Sequence, residues 1–211
     1  MGTSNIAARR AAKANRRKAI VAQKRKAEMG GNTLAGRVAR AAAAPILHCL
    51  LTESLHETGV GTLVLARGSA LGQVTVAGFL LDVFCPGVKD VMLRAMDGRQ
   101  LATYLDILGD ATPLVPVDPA HARKLLRDLV LWSGSLGFQP HPDFATVERL
   151  FGDVDPQACE TAFEFGLGGK PLYVPGPSES PLLVRHRMDQ LSGQLGSEGF
   201  DYIVPVHDPV W

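Results

Sequence analysis

The chain has only three cysteines in 211 residues, Cys49, Cys85 and Cys159, and no pair of them has CxxC spacing. An odd, unspaced set argues against a disulfide framework and fits a reducing, cytosolic compartment. Long apolar runs are also missing. The longest, AAAAPILHCLL at residues 41–51, is interrupted by Pro45 and His48, whereas a membrane helix needs about 20 apolar residues. Metal spacing is absent too: His48, Cys49, His56 and Cys85 contain no pair at C-x2–4-C or H-x3–5-H separation, so no zinc module is expected.

Three nucleotide and hydrolase signatures fail on single positions. FGLGGKP at residues 165–171 has Glu164 where a P-loop needs its first glycine, and Pro171 follows Lys170 where Ser or Thr is required. GVG at 59–61 is too short for a dinucleotide fingerprint and precedes a strand pattern. No GxSxG elbow is present; Ser133 and Ser135 fall at a helix end. No internal repeat is found, and nothing in the sequence names a cofactor or sets the oligomeric state.

What is present is an uneven distribution of charge. The net charge of +1 conceals nine Lys and Arg residues against one acid in residues 1–29, and 13 bases against 20 acids in the remainder. The nine are Arg9, Arg10, Lys13, Arg16, Arg17, Lys18, Lys24, Arg25 and Lys26; the acid is Glu28. At 3.6 residues per turn these bases share no single face, and the apolar residues between them are nearly all alanine. The segment reads as a basic arm, flexible or loosely helical, able to neutralise the phosphates of RNA. A solubilising tail is the competing reading, because phosphate contacts carry no sequence information. A transit peptide fits poorly, with Ser4 as the only serine in the segment.

The rest, residues 33–211 after a Gly-Gly-Asn hinge, reads as a single α+β domain: a mostly antiparallel sheet built from hairpins, with helices packed on it. Thr33 caps a short helix that stops before Pro45. VGTLVLARG and GQVTVAGFLLDVF form a hairpin around Gly68–Gly72, and the second run, apolar on both faces, is expected in the sheet interior. ILHCLLTE at 46–53 fits a strand or a buried helical turn. GVKDVMLRAM is expected as a helix, with Val88, Val91, Met92, Ala95 and Met96 on one stripe. DPAHARKLLRDLVLWSGSLGF is a helix capped by Asp118 with Pro119 in its first turn. A shorter helix follows, capped by Asp143. TAFEFGLGGKPLYVPG reads as an aromatic hairpin, and a final helix near 179–195 precedes a last strand.

One carboxylate stands out. Asp82 ends an apolar strand face, so it must be paired, lie at an edge or belong to a site. Arg67 on the neighbouring strand and Lys89 across the turn are its candidate partners. Cys85 falls where the expected helix begins, a position that would lower a thiol pKa or hold an anion. QPHPDF places His141 between two prolines, two residues before Asp143, which suits either a general acid/base pair or a plain helix entry. Asp82, Lys89, His141 and Asp143 are thus the candidate catalytic residues, with Cys85 beside them, of a hydrolase- or nuclease-like site. A packed turn is the simpler alternative.

The motifs VLARG…GFLLDVFCPGVKD, GFQPHPDF…FGDVDP and FEFGLGGKPLYVPGP together resemble a family of uncharacterised bacterial proteins over roughly residues 45 to 205. Members of that family often begin with a Lys/Arg/Ala-rich segment. The resemblance implies a bacterial cytoplasmic protein and directs interest to Asp82, Lys89 and His141, without supplying a reaction. The leading expectation is association with RNA or ribonucleoprotein through the arm, and no membrane partner. The alternatives are an enzyme at the 82–90 corner, or a protein-interaction module using Phe163, Phe165 and Tyr173. Outside the arm, the sequence shows no obvious basic patch with interleaved aromatics.

Overall fold

The computed structural model describes residues 31–69 and 72–203. Five antiparallel strands form the main sheet in the order β4-β3-β2-β1-β5. They are β1 (Ile46–Thr52), β2 (Val60–Gly68), β3 (Val74–Asp82), β4 (Gly87–Met96) and β5 (Leu114–Pro116). Helices cover both faces, so the fold is α+β with helices packed on an antiparallel sheet. β3 lies inside the sheet, as its two apolar faces require. Leu63, Leu65, Ala77, Phe79 and Leu81 point into the larger core, and Val64, Ala66, Val74 and Val76 into the smaller one.

The larger core is closed by α1 (Leu34–Ala41), α4 (Pro119–Ser135), α5 (Phe144–Val147) and the 3-10 turn Glu148–Phe151. Sequence signals explain where these begin. The Thr33 hydroxyl accepts from Gly36 N, and Asp118 Oδ1 accepts from the N–H groups of Ala120 and His121. Each satisfies donors that a first turn leaves unpaired. The smaller core is covered by α3 (Gly98–Ala111), whose Asp97 cap and Gln100 form a reciprocal capping box. A four-residue helix, α2 (Leu55–Thr58), links β1 to β2. α6 (Pro181–Leu195) starts at Ser180, whose Oγ accepts from Leu183 N, and packs against Cys85, Phe138 and Tyr173.

Two expectations are corrected. The segment expected to be a helix after the 82–86 corner is β4, paired with β3 over its whole length. Its register skips one residue: Leu81 faces Val88 and Leu80 faces Asp90, leaving Lys89 as the extra residue of a β-bulge. The bulge puts Val88 and Val91 on the same face although they are three apart, which imitates a helical stripe. A helix here would also have left the buried outer edge of β3 without hydrogen-bond partners.

The second correction concerns residues 160–173. They form no aromatic hairpin; a single bridge joins Leu167 to Lys170, and β6 (Leu172–Tyr173) pairs in parallel with β7 (Asp201–Tyr202). The backbone is instead drawn to the corner, where Gly166 N donates to Val83 O and Leu172 N to Phe84 O.

Candidate functional site

The corner after β3 is a four-residue turn, not a helix start, and Asp82 organises it. Its Oδ1 accepts from Cys85 N at 2.9 Å and Phe84 N at 3.2 Å, and Oδ2 lies 3.4 Å from Lys89 Nζ. The bulge at Lys89 is what turns that side chain back toward Asp82. Lys89 Nζ also stands 3.6 Å from Glu179 Oε1, and Glu179 receives Arg187 Nη1 at 2.6 Å and the Tyr173 hydroxyl at 2.5 Å. The result is a continuous chain of alternating charge from the corner to α6. Arg67, the other expected partner of Asp82, is elsewhere: it donates to the carbonyls of Ala42, Ala44 and Phe151.

Burial decides what this network can do. Asp82 is 3% exposed. Burial pushes its carboxyl up to about 6, against the opposing pull of the two N–H bonds and Lys89. Cys85 is fully buried, and burial, with the Asp82 charge, pushes its thiol up to about 12. Gly87 seals the turn with φ +101°, and a Cβ there would come within 2.5 Å of Ser133 Oγ. With Asp82 and Cys85 this deeply buried, the geometry of the corner is that of a clamped turn.

His141 and Asp143 do not join the network. His141 Nε2 lies 3.7 Å from Asp90 Oδ1, and its backbone N donates to Val88 O. Asp143 N donates to His141 Nδ1 at 3.2 Å, while the Asp143 side chain makes no cap hydrogen bond to α5. The four candidate catalytic residues thus fall into two groups, Asp82 with Lys89 and His141 with Asp143, the second beside Asp90. The expected cap role of Asp143 is corrected: its backbone ψ of −7° departs from the extended conformation usual at an N-cap. Phe165 packs against Trp132 at 5.4 Å between centroids and Tyr173 is fully buried, whereas Phe163 is half-buried and lines a surface cavity with Phe84 and His121.

The nine arm bases lie outside the described residues. Among the described residues no group of three or more His, Cys, Asp or Glu is placed to hold a metal ion. The fold gathers arginines that lie apart along the chain. Arg37 and Arg40 of α1, Arg67 of β2 and Arg94 of β4 converge on one cavity of about 280 Å³ that no carboxylate among the described residues lines. These arginines are spread over 58 positions of sequence, and only the sheet register and the seating of α1 bring them together. The one legible signal was the 3-residue spacing of Arg37 and Arg40 on a helix. Compared with known protein families, curated proteins and solved structures, the chain has no match.

Proposed function

We propose that the protein associates with RNA or ribonucleoprotein through its basic arm. One observation carries the reading: nine cations and a single acid in residues 1–29, joined to a remainder with seven more acids than bases. Such an arm gains affinity by releasing the counterions condensed on a phosphate chain, a gain that the net negative charge of the body does not itself supply. The compartment that suits this role is the cytoplasm. Cys49, Cys85 and Cys159 are free, as a reducing environment keeps them. Among the described residues no helix is long and apolar enough to cross a membrane.

The test compares the full chain with a full-length variant carrying Gln at all nine arm positions. Binding of a labelled RNA is followed between about 50 and 200 mM salt. The parent affinity should fall steeply with salt, and the variant should lose most of that salt-sensitive component. An unchanged salt slope in the variant rejects the arm as the binding element.

A further inference from the structure

We infer that the folded body carries its own binding groove for a single RNA strand, formed by two adjoining cavities that flank the edge strand β4. The inference rests on the RNA reading above and adds a defined site to it. One cavity lies between α1 and the end of the sheet. Its walls carry Arg37, Arg40 and Arg94, all exposed, with Gln73 and Thr75 as neutral hydrogen-bonding groups. The other, about 440 Å³, lies on the α3 side and is lined by Arg94, Arg99, Gln100, Thr103, Tyr104 and Ile107. Arg94 and Ala95 belong to both, so the surface continues around the edge of the sheet.

The distribution of ion pairs marks this groove out. Of the thirteen Lys and Arg residues beyond the arm, six lie within ion-pair distance of a described carboxylate: Lys89, Arg123, Lys124, Arg127, Lys170 and Arg187. Five of the other seven line these two cavities. In a body with 20 acids against 13 bases, gathering cations in one groove works against folding, since like charges repel; Asp153 offsets this at Arg67. A phosphate chain relieves that repulsion.

Arg67 fixes the field. Its guanidinium is buried and held by three backbone carbonyls, and its Nε has no hydrogen-bond partner among the described residues. It therefore stays as a stationary cation at the floor of the first cavity. On the α3 side the half-buried Tyr104 ring and Ile107, which is 65% exposed, offer an apolar platform beside Arg94 and Arg99. Cations tracking a backbone next to a stacking ring are the two parts that single-strand recognition uses. Gly31 packs against the Arg40 guanidinium, near enough that a Cβ would come within 2.5 Å of Nη1.

The experiment measures anisotropy of a labelled 12-nucleotide single-stranded RNA with full-length protein. Arg40→Gln with Arg94→Gln should lower affinity about tenfold or more and reduce the salt slope by about 1.4, the value for two lost phosphate contacts on a single strand. Arg40→Lys with Arg94→Lys should restore most of the slope. Tyr104→Ala should weaken binding about tenfold with the slope unchanged. If the Gln pair binds like the parent while the arm-neutralised chain loses binding, the groove is rejected and the arm reading stands. If the arm-neutralised chain keeps its affinity and the Gln pair loses it, the groove stands without the arm. Preferential loss of binding to anionic phospholipid vesicles, with RNA binding intact, overturns the choice of RNA. Arg40 and Arg94 are exposed and unpaired among the described residues, so unchanged thermal melts are expected and a collapsed melt disqualifies the variant; the Tyr104→Ala and Lys-pair readings then decide.

Discussion

Two buried carboxylates in this protein respond to pH with opposite signs, because their surroundings differ. Asp82 keeps its proton up to about pH 6 in the fold, against an ordinary value of 3.8, since burial outweighs its N–H bonds and Lys89. The folded state therefore binds this proton more tightly than the unfolded chain does. The resulting stabilisation is complete below about pH 4 and is lost as pH rises through about 6, amounting to roughly 3 kcal/mol. Asp82→Asn has no such proton to bind. Urea unfolding of parent and variant between pH 4 and 7 should show the parent gaining on the variant as pH falls. A stability difference that stays constant over that range would mean the Asp82 proton is not held by the fold.

At the scale of elements, the matching group is Glu148, which ties the 3-10 turn to α4. Arg123 Nε lies 2.7 Å and Arg127 Nε 2.8 Å from its Oε1, and Arg123 Nη1 continues to the carbonyls of Gly152 and Val154. Burial acts to raise this carboxyl, but the two arginines outweigh it and hold it below its ordinary 4.5. Glu148→Gln leaves Arg123 a buried charge without its counter-ion and should cost about 3 kcal/mol at neutral pH. A depressed carboxyl stabilises above its unfolded pKa and stops doing so as pH falls through its folded one. The cost of the variant should therefore shrink as the solution is acidified below the ordinary carboxyl value of 4.5. Chemical denaturation under the two conditions checks it, and an equal cost in both would show that the charge of Glu148 is not what joins these elements.

The same scale shows what the sequence could reveal. α1, α4 and α6 were legible because Thr33, Asp118, Ser180, Pro119 and Pro181 act locally, on the turn that follows each of them. The β2–β3 hairpin was legible from two β-type runs joined through glycines. β4 was not, because the bulge at Lys89 alters the face pattern and the need that makes it a strand belongs to β3 across the sheet. The 160–173 segment was misread for a similar reason: the backbone partners of Gly166 and Leu172, Val83 and Phe84, lie 83 and 88 residues upstream. Within the candidate site, Lys89 was identified as a partner of Asp82 from sequence proximity. Glu179, Arg187 and the converging arginines were invisible because their neighbours come from distant parts of the chain.

For the whole molecule, the two cores on the faces of the main sheet are unequal, and this sets which of their elements open first. β2 and β3 contribute to both cores, with Leu63, Val64, Leu65, Ala77 and Phe79 fully buried. α3 buries only Leu101 completely enough to join the smaller core, and Tyr104, Leu105 and Leu108 stay partly exposed. Elements that bury little apolar surface open at a lower free energy than the core strands. Native-state hydrogen exchange should therefore show α3 amides exchanging through a local opening while the central β2 and β3 amides wait for global unfolding. If the proposed groove takes single-stranded RNA against Arg94, Arg99 and Tyr104, the ligand needs the closed helix, and adding it should raise α3 protection and leave the β2–β3 amides unchanged. Equal protection of α3 and β3 in the free protein would make the sheet and α3 one cooperative unit. An α3 protection that RNA does not move would separate the helix from the groove.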